Sequence, residues 1–161
     1  MSFQSLIRKA PLAHNCAGVE AAALYAGTPI EALAEGAAGC SPYLAALLQR
    51  EEAWLREGLG LGPEEGFARC LFVPEGAPLD AALRQAKRRA ALWIALADLG
   101  GVWSLEEVTG ALTRLADWAV ETALRHLVAA EVARGKLPEV EATIGGLFAL
   151  AMGKMGAGEL N

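Results

Sequence analysis

Six residues near the carboxyl end have the types and spacing for phosphate chemistry. Gly153, Lys154, Gly156, Gly158, Glu159 and Asn161 place three glycines, one cation and two polar side chains within nine residues. Glycines let backbone N–H groups converge on an anion, and Lys154 would add positive charge. The apolar run beginning at Leu147 has the length of a strand, so the expectation is a buried strand that delivers the chain into a tight turn. Transfer at phosphorus also needs clustered carboxylates that hold a metal. None follows the turn before Asn161, so no catalytic and no metal-binding residue is assigned.

The other chemically capable residues read more simply. Arg84, Lys87, Arg88 and Arg89 could face a phosphate or an acidic partner, but a solvated helix face is the simpler expectation. His14 and His126 have no carboxylate or nucleophile at a recognisable spacing. Cys16, Cys40 and Cys70 are widely spaced and odd in number, which fits buried free thiols in a reducing compartment rather than a disulfide framework or a zinc site. The adjacent pairs Glu51–Glu52 and Glu64–Glu65 fit solubility, and Glu106–Glu107 fits a helix start. Trp54, Trp93, Trp103 and Trp118 belong with a core rather than a base-stacking platform.

Composition narrows the class. With 54% hydrophobic residues but only 6% aromatic, a core must be built from small and aliphatic side chains around a few large rings. A net charge of -5 argues against a nucleic-acid surface. The first residues lack the unbroken apolar core of a signal sequence, and no run approaches the roughly 18 residues of a membrane span. The expected location is cytoplasmic, with no nucleic acid and no membrane as partner.

Helices account for most of the chain. Val19 to Tyr25 and Pro29 to Glu35 read as short helices, the second capped by Thr28. Ser41 and Pro42 open a helix with the stripe Leu44, Leu47, Leu48, and its pattern continues through Trp54 and Leu55. A short helix is expected around Glu65 to Leu71. From Leu79 to Leu99 the apolar period is three to four residues, and Gly100–Gly101 ends it. Ser104 and Glu107 form a capping box that starts a helix running toward Arg134, with Pro138 to Gly146 a linker. Two long helices about a short glycine turn make an antiparallel hairpin that the earlier helices must cover. The fold expectation is therefore mainly all-α, a helical bundle over residues 1–138, with a strand and glycine loop beginning in 139–161.

The terminal run Phe148-Ala-Leu-Ala-Met-Gly153-Lys154-Met-Gly156-Ala-Gly158-Glu159-Leu160-Asn161 resembles the segment by which glutamine-synthetase adenylyltransferases enter their nucleotidyltransferase domain. A second piece, Ser41-Pro42 with an aliphatic helix and then Trp54-Leu55, resembles an upstream segment of the same family. Ala157 and Met155 depart from the usual glycine and leucine, and Lys87-Arg88-Arg89-Ala90 stands where the family commonly has Arg-Arg-Arg-Glu.

The resemblance implies a regulatory enzyme that moves AMP from ATP onto a tyrosine of glutamine synthetase and removes it by phosphorolysis. It implies Mg and ATP or AMP as cofactors, and glutamine synthetase and a PII-type signalling protein as partners. Gly153, Lys154, Gly156, Gly158, Glu159 and Asn161 would line the start of the nucleotide site. The serines and Asp-x-Asp pair that follow in the family are missing, so the chain is expected to be an inactive amino-terminal fragment with a truncated nucleotidyltransferase domain. A severed strand would be disordered or paired with another chain, making self-association one outcome. The competing expectation is a stand-alone helical interaction module whose tail packs on its own helices.

Overall fold

Caps and glycines decide where the helices start and stop. In the computed structural model, which describes residues 1–138 and 146–161, a 3-10 turn at Phe3–Leu6 precedes α1 (Ala17–Leu24), α2 (Glu31–Cys40), α3 (Pro42–Arg50), α4 (Glu52–Gly58), α5 (Pro63–Ala68), α6 (Leu79–Leu99), α7 (Leu105–Ala133) and α8 (Gly153–Gly156). Ser41 Oγ accepts from the Leu44 amide at 3.3 Å, and Pro42 occupies the first turn, where its missing N–H is no loss. At α7 the capping box is complete. Glu107 N donates to Ser104 Oγ at 3.3 Å, and Ser104 N donates to Glu107 Oε2 at 2.7 Å. Between α6 and α7 the left-handed residue is Gly101, at φ 65°, a conformation that costs a residue with a side chain more than glycine.

The hairpin of α6 and α7 forms as expected, and α1, α2 and α3 pack in sequence, with α2, α3 and α5 against α6. Ala86, Ala90, Trp93 and Ala97 of the α6 stripe are all buried, joined by Leu92, Ile94 and Leu96. Alanines permit this, because small side chains let helices approach closely around the one helix that is covered on most sides.

Trp93 is the centre of the core. It is fully buried, its ring centroid 4.4 Å from that of Phe3 and 6.1 Å from that of Trp54 in an edge-on arrangement. Its indole N–H donates to the Pro63 carbonyl at 2.9 Å, so the ring's one polar atom is satisfied. Gly66 of α5 lies flush against the ring, and a Cβ there would stand 2.0 Å from Trp93 Cζ2.

An amino-terminal strap, the 3-10 turn and the irregular residues after it, supplies Phe3. Phe3 N donates to Leu61 O at 2.6 Å, Arg8 N to Gly100 O at 2.9 Å and His14 N to Gly39 O at 3.3 Å, so the strap crosses the α6–α7 turn and reaches α2. These backbone bonds compensate for the absence of regular structure.

Several expectations need correction. Thr28 does not cap α2; its Oγ1 donates back to Tyr25 O at 2.6 Å, and α2 begins at Glu31, whose carboxylate accepts from the Gly27 amide at 2.8 Å. The helix from Ser41 breaks at Glu51, where φ is -107° and ψ 21°, and α4 begins anew. Leu105 heads the expected α7 stripe yet is 72% exposed, because Ala111, Val108, Leu112 and Leu115 are the side chains that meet the core. Only Cys70 of the three thiols is buried, while Cys16 and Cys40 are exposed.

The strand expected from Leu147 is not formed among the described residues. Residues 147–152 are irregular and lead into the single helical turn α8. A strand needs a neighbour to accept its backbone bonds, and helices offer none. The expected linker lies, apart from its ends, outside the described residues.

Two outcomes test this core. Gly66→Ala should cost roughly 1 to 3 kcal/mol, the usual penalty of overpacking, because neither Trp93 nor the α5 backbone can retreat; urea unfolding followed by tryptophan fluorescence measures it. Burial pushes the Cys70 thiol up to about 12, the neighbouring arginines only partly opposing this. In the unfolded chain that thiol ionises near 8.5, so its stability contribution is complete below that pH and is lost as pH rises through the folded value. A thiol reagent at pH 8 should modify Cys16 and Cys40 in the native protein and Cys70 only after denaturation.

Candidate functional site

The glycine segment folds back on itself. Ala157 N donates to Gly153 O at 3.0 Å, Gly158 N to Met155 O at 3.2 Å, and Glu159 N to Lys154 O at 2.8 Å. Gly153 at φ 59° and Gly158 at φ 75° allow the entry into and exit from the turn. Lys154 Nζ donates to Asn161 Oδ1 at 2.6 Å. The structure thus brings Gly153, Lys154, Gly156, Gly158, Glu159 and Asn161 into one small, mostly exposed unit. In this arrangement the amides of 156 to 159 are engaged with carbonyls, and the lysine is engaged with Asn161. A phosphate could use them only after the turn opens.

The unit is docked on α7. Leu160 N donates to Thr113 Oγ1 at 3.4 Å, and that buried hydroxyl donates in turn to Thr109 O at 2.9 Å. Upstream, Leu147 to Ala151 and Met155 form one wall of a groove of about 490 Å³, and Asp117, Val120, Glu121 and Leu124 of α7 form the other. The tail therefore packs on α7. Yet Leu147, Phe148, Leu150 and Met152 remain between 55% and 82% exposed, which a finished core would not leave. Neither Thr113 nor the groove is signalled in the sequence, since a threonine inside a helix and an apolar stripe have many uses.

The basic run divides. Arg84 pairs with Asp80 on the surface at 3.0 Å, and Lys87 is exposed. Arg88 and Arg89 instead converge on Glu51, Nε to Oε1 at 3.0 Å and Nε to Oε2 at 2.9 Å. Glu51 is only 5% exposed, so a carboxylate that reads as a solubility residue ties the α3–α4 junction to α6. Arg89 also lies over Trp54, 5.1 Å from the ring centroid. The solvated-face expectation fails for these two arginines because the α3–α4 break aims a carboxylate at them. No sequence period announces that break.

His14 and His126 are exposed, and among the described residues no group of three or more His, Cys, Asp and Glu side chains could hold a metal ion. The described residues thus form no donor set for Mg. Among the described residues no helix is long and apolar enough to cross a membrane.

A mainly helical bundle carrying a glycine segment docked on α7 is the class of protein that the described residues define. Comparison with known proteins makes it specific: the family model described as glutamate-ammonia ligase adenylyltransferase matches residues 31–161, and the chain belongs to that family. A bifunctional glutamine synthetase adenylyltransferase/adenylyl-removing enzyme of Bradyrhizobium sp. (strain ORS 278) is 46% identical over 133 residues, covering 75% of this chain and 14% of that relative. The similarly titled protein of Caulobacter vibrioides is 44% identical over 132 residues, or 75% of this chain and 13% of its own length. That of Rhodopseudomonas palustris (strain BisB5) is 42% identical over 149 residues, 85% and 15% respectively. The matched stretch is thus a small part of these relatives. No solved structure matches.

Truncating Glu51 to alanine should leave two facing guanidiniums without their carboxylate. The expected loss is about 2 to 3 kcal/mol, below the full cost of breaking a buried pair because water screens the partly exposed arginines. Denaturant unfolding of the variant measures it, and a loss under about 0.5 kcal/mol would match an ordinary surface glutamate.

Proposed function

We propose that this chain is a helical region, 1–138, joined to the opening of a nucleotidyltransferase domain, 139–161, from an enzyme that adenylylates and de-adenylylates glutamine synthetase. The single observation that carries this reading is the family match, which extends from the start of α2 through the glycine segment to residue 161. The names of the relatives give the two activities and the target. In that setting Gly153, Lys154, Gly156, Gly158, Glu159 and Asn161 would border the nucleotide, with α7 as the platform that holds them through Thr113. ATP would supply the AMP group, with pyrophosphate leaving, and inorganic phosphate would take that group off the tyrosine again as ADP; Mg, for which the described residues form no donor set, would be held by other parts of the enzyme.

This chain's own contribution is positional. The capped hairpin is a rigid support, and Lys154 is the one cation of the terminal segment that could meet a phosphate once it leaves Asn161. No Asp-x-Asp occurs in the 161 residues, so the chain by itself is inactive in both directions. A PII-type regulator is part of the same proposal and would act on the assembled enzyme.

Two measurements test the reading. The purified chain, mixed with glutamine synthetase, Mg and ATP labelled in the α-phosphate, should leave the synthetase unlabelled; incorporation above an enzyme-free blank overturns the inactivity. Residues 31–161, which on this reading belong to the AMP-removing half, should preserve the adenylyl-removing activity of the Bradyrhizobium relative when exchanged into its matched stretch. A folded hybrid without activity overturns the assigned role.

A further inference from the structure

A cleft of about 780 Å³ opens between α4, the end of α5 and α6, and no residue of α7 or of the terminal segment lines it. Its apolar side is formed by Leu71 and Phe72, the residues that follow α5, and Phe72 is 64% exposed. Its polar side is formed by Arg69 and Arg89, whose guanidiniums both lie over Trp54, 5.5 and 5.1 Å from the ring centroid. The size is that of a small-molecule site, with an apolar wall and a few convergent polar groups.

Donors without acceptors decide the chemistry of the ligand. Arg88 and Arg89 spend only their Nε atoms on Glu51, and among the described residues Nη1 and Nη2 of Arg89 donate to no protein acceptor. Two guanidiniums on one buried carboxylate leave one positive charge over. Arg69 gives Nη2 to Glu57 at 3.1 Å, while its Nη1 is buried and has no partner, alone in this among the side-chain nitrogens and oxygens of the described residues. A buried donor left unmatched costs free energy, so a turn of Arg69 toward an acceptor in the cleft relieves that cost. Glu57 and Glu65 also line the cleft, but both are exposed, and water screens them more than it screens the partly buried arginines. They weigh against a doubly charged phosphate. The corner lacks one negative charge.

We propose that this cleft binds a monocarboxylate carried on an apolar group, its oxygens accepting from the free N–H groups of Arg89 and from Arg69, and its apolar arm lying on Leu71 and Phe72. The planar fork of a guanidinium matches the two oxygens of a carboxylate. The site goes beyond the enzymatic reading and does not rest on it, because every residue in it belongs to the α4–α6 corner.

The test titrates 3-phenylpropionate into the nitrogen-15-labelled full chain at pH 7.5, beside its neutral amide and beside phenyl phosphate. The acid should shift amides within 53–57 and 68–72 together with the Arg89 Nε–H signal, and should bind about tenfold tighter than the amide, the size of one charge-assisted contact. Phenyl phosphate should bind more weakly than the acid. Arg69→Gln should bring the acid close to the amide, and Phe72→Ala, a change at an exposed position, should weaken both ligands while circular dichroism is unchanged. The peptide acetyl-Gly-Gly-Phe with a free carboxylate separates two sources of the group: tighter binding than 3-phenylpropionate points to the end of a protein chain, weaker binding to a free organic acid. Equal binding of acid and amide, tighter binding of phenyl phosphate, shifts confined to other surfaces, or acid binding untouched by Phe72→Ala overturns the proposal.

Discussion

The packing of Trp93 is the constraint on which the rest of the structure depends. A chain with so few aromatic residues and so many alanines has little with which to fill the space where its helices diverge, and one large ring fills it. The ring is shared by four parts of the chain: the amino-terminal turn through Phe3, α4 through Trp54 and Gly58, α5 through Gly66 and the Pro63 carbonyl, and α6, which carries it. The short helices α4 and α5 have too few residues to be stable alone, and contact with this ring gives them a fixed position. The hydrophobic contribution is non-directional, but the indole hydrogen bond and the absence of a Cβ at position 66 permit one orientation.

A second tie is electrostatic. Glu51 is held between two arginines at the junction of α3 and α4, where the chain must change direction, and a buried carboxylate is tolerable only because both its oxygens are paired. The geometry suggests specificity as much as stability: an apolar side chain would fit the helix break without selecting the angle at which α6 is met. Arg89 reaches Trp54 as well, so the charge network and the aromatic core share a residue.

The helices with chemical punctuation were legible. Ser41–Pro42, Gly100–Gly101 and Ser104–Glu107 are local signals whose energetics are complete within a few residues, and the structure uses each. What depended on distant partners was not legible. Thr28 looks like a cap, but the carboxylate of Glu31 reaches back to Gly27 instead. Glu51 looks like a surface acid until α6 is brought beside it. The terminal run Leu147 to Ala151 has the composition of a strand, and without a neighbouring strand it stays irregular, while its glycines close into a helical turn. The resemblance located the glycine segment and the family; which helix carries it, and through which threonine, required coordinates.

The strap at the amino terminus separates two meanings of the word domain. The family match begins at residue 31, inside the bundle's first helical layer, yet Phe3 lies against the central ring and the residues after it are bonded to the α6–α7 turn and to α2. The matched stretch and the packed core therefore have different boundaries here. Residues 1–30 lie outside the match yet supply Phe3 to the central ring, so part of what seals this interior is written before the stretch shared with the family model.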